Sequence, residues 1–186
     1  MLEYSAAREL ILGEVRTSLE AVDPIQVEQF IGLILSARKV FVIGVGRVML
    51  SMQAMAKRFH HLGIDVHGVG DITEPAITQD DILVIGSGSG ESVVPVAIAC
   101  KAKNLGASIV HVGSNPQSSL APITDLFVRI PVQTKLHLDG EIESRQIMSS
   151  LFEQSLLLFG DCVALMIADR KQLDLKTLWH LHANLE

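Results

Sequence analysis

The stretch Ile82-Leu83-Val84-Ile85-Gly86-Ser87-Gly88-Ser89-Gly90-Glu91-Ser92 constrains the fold of this chain more than any other. Ile82 to Ile85 is apolar without polar alternation, the pattern of a parallel strand covered on both faces. Glycines and serines alternate directly after it, and an apolar helical pattern resumes at Val93. Buried strand, glycine turn and helix in immediate succession make a βα unit, which needs a sheet with helices packed on it. Gly86, Gly88 and Gly90 let the backbone turn sharply and approach a ligand closely. Amides of the next helix's first turn, together with the hydroxyls of Ser87, Ser89 and Ser92, would form an electropositive hollow without any lysine. Its natural guest is a phosphate.

The rest of the chain repeats this alternation. Strands are predicted at Lys39–Ile43, Ile64–Val69, Ile82–Ile85, Ser108–Val112 and Leu126–Ile130. Between them fall helices from Gly46 to about His61 and from Val93 to Lys103. Two helices precede the first strand, Ala7–Leu19 and one opened by Asp23-Pro24, where Asp23 caps, Pro24 suits the first turn and Gln26 completes a capping box. A long helix, apolar nearly all round, is predicted over Gln146–Asp169. The class is α/β, a three-layer α/β/α sandwich with a five-stranded parallel sheet. Residues 1–186 read as one domain, with N-terminal helices over 3–37, the α/β core over 38–131 and C-terminal helices over 144–186. Ligands of such sheets sit beyond the carboxyl ends of the strands, where the glycine turns after the first and third strands both lie. Thr134–Glu143 is polar and reads as the least ordered stretch, either a solvent loop or a flap over the site. The long helix has no polar side to turn to water, so a partner subunit is expected to cover the face that the sheet leaves open.

Charge and composition narrow the partners. At −6 over 186 residues, with no basic stripe, the chain is not built for nucleic acid. Cys100 and Cys162 read as buried helical residues without disulfide or metal spacing, which fits a reducing cytoplasm. Met1-Leu2-Glu3-Tyr4 does not open a signal peptide, and no apolar run reads as a membrane span.

Other motifs are weaker. Gly44-Val45-Gly46 begins a dinucleotide fingerprint, but Met49 stands where the third glycine belongs. The serine loop has neither GK[ST] nor the glycine spacing of a nucleophile elbow. No metal is expected from the seven histidines: His60 and His61 diverge by about 100° on a helix, and His180 and His182 have no carboxylate at ligand spacing. His67, His111 and His137 read as structural or surface residues. Glu153, flanked by Leu151, Phe152 and Leu156, is either a general base or a buried structural carboxylate, since apolar surroundings make a carboxylate a stronger base.

The strand–Ser-x-Ser-Gly-x-Ser–helix unit at Ser87–Ser92 resembles the sugar isomerase (SIS) domain, and nearly the whole chain resembles the 6-phospho-3-hexuloisomerases within it. The likeness rests on Gly44-x-Gly46-Arg47, Arg58-x-x-His61-x-Gly63 and Gly86–Glu91. Its most specific parts are Gln146-x-Met148-x-Ser150-Leu151-Phe152-Glu153-Gln154 and the closing His182-Ala183-Asn184-Leu185-Glu186. The resemblance implies a tetrameric, cofactor-free isomerase of 3-hexulose 6-phosphate and fructose 6-phosphate. It implies Glu153 as the base and His182 as a residue that reaches a neighbouring subunit's site. Arg47 would then offset an oxyanion, and His182 or His61 would shuttle protons between hydroxyls. Gly46, Arg47, Ser87, Gly88, Ser89, Gly90 and Ser92 would hold the substrate. The family's first loop runs Gly-Arg-Ser-Gly, whereas Val48 and Met49 follow Arg47 here, and Gln-Pro-Met-Gly is replaced by Gln146-Ile147-Met148-Ser149. Isomerases of other sugar phosphates, such as arabinose 5-phosphate, and a non-catalytic sugar-phosphate sensor remain as alternatives.

Overall fold

In a computed structural model that describes residues 1–185, five parallel strands form one sheet in the order β2-β1-β3-β4-β5. The strands are β1 (Val40–Ile43), β2 (Val66–Gly68), β3 (Ile82–Gly86), β4 (Ser108–Gly113) and β5 (Leu126–Arg129). The helices are α1 (Tyr4–Glu20), α2 (Pro24–Ser36), α3 (Gly46–His61), α4 (Val93–Asn104) and α5 (Ser150–Arg170), with 3₁₀ turns at Ala121–Ile123 and Thr177–Leu181. Every predicted strand is present, and the α/β/α sandwich holds. Glu186, the last residue of the closing His182–Glu186 motif, lies outside the described residues.

The two faces of the sheet are unequal. Val40, Val42, Val84, Val110 and Val112 point to one side, where α2, α3 and α5 cover them and α1 packs on α5. Phe41, Ile43, Leu83, Ile85 and Ile109 point to the other, where Ala99 and Ala102 of α4 and Leu120 complete a smaller core. Continuous apolar strands are needed because both faces are buried. On the thicker side, α3 follows β1 directly, and Ser51 Oγ of α3 bonds Glu153 O in the first turn of α5.

Several local readings are corrected. Asp23 does cap α2, accepting from Ile25 N at 2.8 Å, but Gln26 does not complete a capping box. Its Oε1 instead accepts from Arg129 N at 2.9 Å and ties α2 to β5. The last long helix begins at Ser150 rather than Gln146, because Met148 adopts φ +55° and Glu14 of α1 holds the preceding turn. Glu14 accepts from Arg145 N at 2.9 Å, Ser144 Oγ at 2.7 Å and Gln146 Nε2 at 3.1 Å. Those three bonds hold the Glu14 carboxyl below the usual range, although burial opposes them. With 21 residues, α5 is long and apolar enough by composition to cross a bilayer, contrary to the expectation of no such run. Leu151, Phe152, Leu156, Phe159, Val163 and Ile167 place it in the protein core instead. Cys100 and Cys162 are exposed rather than buried, each on an outward helix face.

The Thr134–Glu143 stretch is tied down at several points rather than loose. Glu141 Oε2 accepts from Thr134 N at 3.0 Å and Leu138 N at 2.9 Å, and its Oε1 accepts from Ser114 Oγ at 3.0 Å. A bridge between Val132 and Ile142 closes the base of the loop.

Candidate active site

The serine loop leaves β3 at Gly86 and enters α4 with Ser92 at the N-cap. Inside it, Ser87 Oγ accepts from Gly90 N at 3.1 Å and Ser89 Oγ accepts from Glu91 N at 3.3 Å. Each hydroxyl therefore spends a lone pair on the loop and keeps its proton to donate. This narrows the expected row of helix amides. The Gly90 and Glu91 amides serve the serines, and Pro95 in the first turn of α4 has no N–H. Among the described residues, the amides of Gly88, Ser89 and Ser92 remain as the loop's unbonded donors.

The loop's carbonyls are drawn the other way. His111 Nε2–H donates to Ser87 O at 2.8 Å, Ser114 N and Asn115 N donate to Gly88 O at 2.9 and 3.2 Å, and Asn115 Nδ2 donates to Ser89 O at 3.1 Å. Oxygens that would repel an anion are thus fastened to the end of β4, and the donors are left facing outward. Burial pushes the His111 imidazole down to about 4, so near neutral pH it is uncharged with its proton on Nε2. Gly90 adopts φ +67° against this backing, and a Cβ there would lie 2.3 Å from Ser118 Cβ. Its role is the shape of the turn, for it does not line the cavity in front of the loop.

That cavity holds about 680 Å³ and runs from the loop to the start of α5. Gly46, Arg47, Ser87, Gly88, Ser89 and Ser92 line it together with Phe152 and Glu153. Gln133, Thr134, Lys135 and His137 of the flap and Gln146, Met148 and Ser149 of the preceding turn complete it. The Glu153 side chain is 10% exposed, and both of its oxygens are engaged. Oε2 pairs with Arg47 Nε, and Oε1 accepts from Ser149 Oγ at 2.9 Å. Ser51 Oγ donates to Glu153 O at 2.8 Å, which joins α3 to the first turn of α5. A carboxylate held this way lines the cavity in one orientation, together with a donor-rich loop. Such a site can grip an anionic ester at one end and move a proton at the other.

His61 and His182 are not in this cavity. They stack at 5.3 Å between ring centres in a second one of about 550 Å³, between the end of α3, α5 and the last 3₁₀ turn. Leu165, Leu175, Leu178 and Trp179 make it apolar, and Arg58 and Asp161 stand at its rim. His61 Nδ1 accepts from Arg58 Nη1 at 3.3 Å, which leaves the proton on Nε2. Burial, and then Lys57 and Arg58, lower the His61 pKa, so the neutral ring prevails near pH 7. Its Nε2 is buried and has no hydrogen-bond partner among the described residues.

Sequence reasoning missed the backing of the loop and the binders of the carboxylate. Ser114-Asn115, a polar pair directly after the apolar β4, carries the same cue as Ser87 after β3 and is recoverable by that rule. Ser149 and Lys135 gave no local signal. Among the described residues, no group of three His, Cys, Asp or Glu is placed to hold a metal ion.

A parallel sheet with a serine loop beyond its third strand defines the SIS domain, whose family pattern matches residues 33–158, and the chain belongs to that family. Among its relatives, the 3-hexulose-6-phosphate isomerase of Bacillus subtilis is 39% identical, covering 95% of both chains. That of Mycobacterium gastri is 40% identical over 95% of this chain and 88% of its own length. A Methanococcus jannaschii protein whose crystal structure led to the inference of 3-hexulose-6-phosphate isomerase function is 28% identical with TM-score 0.83, covering 97% of this chain and 99% of that one.

Proposed function

We propose that this chain interconverts 3-hexulose 6-phosphate and fructose 6-phosphate. The observation that carries the reading is a single oriented carboxylate that lines one cavity with the serine loop, in a chain about 40% identical to named isomerases of that substrate. The 6-phosphate binds the donors of the loop, remote from the reacting carbons, and its binding energy aligns them. Glu153 removes the proton on C2 of the 3-ketose. The electrons move into an enediolate, and return of a proton to C3 leaves the carbonyl on C2. Arg47, beside the carboxylate, offsets the charge that develops on the oxygens.

The finer parts of the reading concern assembly. His182 of one subunit, with His61, serves the cavity of a neighbour in a tetramer and relays protons between hydroxyls. An apolar second cavity, the exposed Leu165 and Trp179 beside it, and the buried His61 Nε2 that wants an acceptor all support this. Free Cys100 and Cys162 are compatible with the cytoplasm as its place of work.

Deuterium tests the reaction. In D₂O the protein should place label at C3 of fructose 6-phosphate and produce a 3-ketose labelled at C2. Label at C1 with an aldose product would make it an aldose–ketose isomerase instead, and tight binding without exchange would make it a sensor. Shared sites have their own test. Mixing Glu153→Gln chains with His182→Asn chains should regain activity that neither has alone, whereas sites built within one chain would gain nothing.

A further inference from the structure

The charges around the first cavity do not balance a phosphate. Amides and hydroxyls supply the loop's donors, and they carry no net charge. The Arg47 cation is matched by Glu153, to which it is bonded. The whole chain is at −6, so its field repels a dianion. One further lysine or arginine lines this cavity, and it is Lys135. Lys135 makes no hydrogen bond or ion pair with another described residue, and its positive charge helps hold the carboxyl of Glu91 low, after two stronger bonds from Ser119. Lys135 lines the same cavity as Ser87, Gly88, Ser89 and Ser92 of the loop.

The turn that carries Lys135 is itself held by hydrogen bonds. Within it His137 adopts φ +49°, and Thr134 Oγ1 accepts from Leu136 N at 3.2 Å. Glu141 clamps both sides of that turn through Thr134 N and Leu138 N. An ammonium on a bonded turn loses less entropy on binding than one on a loose flap.

We propose that Lys135 is a binding residue for the phosphate, closing the loop's hollow from the flap side and supplying the full positive charge that selects a dianionic ester. This deepens the isomerase reading, and it can be tested apart from it because anion binding needs no turnover. A charge-assisted bond of this kind corresponds to about tenfold to a hundredfold in affinity.

The experiment measures binding of inorganic phosphate and of fructose 6-phosphate, by calorimetry, to the intact protein and to Lys135→Met, Lys135→Arg and Lys135→Glu. Lys135→Met should weaken both ligands by about tenfold or more, Lys135→Glu further still, and Lys135→Arg should recover most of the affinity. The salt dependence of binding should flatten in Lys135→Met, and in turnover assays the loss should fall on KM rather than kcat. Circular dichroism shows whether each variant is folded. If Lys135→Met binds phosphate as tightly as the parent, or the parent binds none, the assignment is overturned. Phosphate binding that depends on Lys135 without any exchange from fructose 6-phosphate would uphold this site and defeat the isomerase reading.

Discussion

The two cavities of this protein are built on opposite logic. The cavity at the carboxyl edge of the sheet is the more polar one, and bonds within the chain hold its wall in place while leaving the Gly88, Ser89 and Ser92 amides and Lys135 free to donate. Ser87 and Ser89 bond the loop, His111 and Asn115 bond its carbonyls, and Arg47 and Ser149 hold Glu153. The cavity between α3, α5 and the last 3₁₀ turn is apolar, and it leaves His61 Nε2 buried without a partner among the described residues. The contrast is clearest in two buried histidines. Burial lowers the pKa of both, but the Nε2–H of His111 is answered by Ser87 O and that of His61 is answered by nothing described. A satisfied donor is there to shape the chain around it. An unsatisfied one costs free energy.

The largest effect expected from breaking the first cavity is at Glu153. Glu153→Gln should lower turnover by about 10² to 10⁴ while leaving phosphate affinity close to the parent's, as steady-state kinetics and calorimetry would show. Turnover within a few-fold of the parent would remove Glu153 from the chemistry. Next is Gly90→Ala, which combines a left-handed backbone with a clash at Ser118, and should cost about 4 kcal/mol in urea unfolding.

The histidines separate by pH. His111 is neutral when folded down to about 4 but takes a proton near 6.5 when unfolded, so acid favours the unfolded chain. Stability from this group is complete above 6.5 and is lost as pH falls toward 4, by about 3 kcal/mol in all. Urea titrations at pH 7 and 4.5 should show His111→Gln with a flatter loss than the parent. The smallest effect is the most discriminating. His61→Leu removes an unanswered donor, so it should shift stability by less than about 1 kcal/mol while reducing turnover about tenfold or more. A large loss of stability with activity intact would make His61 a structural residue.

What could be read from the sequence followed range. The apolar runs at Val40, Ile82 and Ser108 and the glycine turns after them are local, so strands, helix starts and the serine loop were legible to within a few residues. Features that depend on distant partners were not. Gln26 looks like a capping residue until Arg129 of β5 claims it. Gln146 looks helical until Glu14, far earlier in the chain, holds its turn open. The apolar neighbours of Cys100 and Cys162 suggested burial, but each cysteine sits on the outward side of its helix. Glu153 and the serine loop could be picked out by residue type, whereas the Arg47 and Ser149 bonds that aim the carboxylate could not. Neither could the separation of His61 and His182 from it, which follows from the packing of the last 3₁₀ turn against α3.

The central claim is that the serine loop grips the phosphate while Glu153 faces the reacting carbons. Its most direct test is a crystal structure of the Glu153→Gln protein with fructose 6-phosphate. The account predicts phosphate oxygens on Ser87, Ser89 and the Gly88 and Ser89 amides, with C2 and C3 against residue 153. A sugar phosphate seated instead between His61 and Trp179, with the serine loop empty, would contradict it.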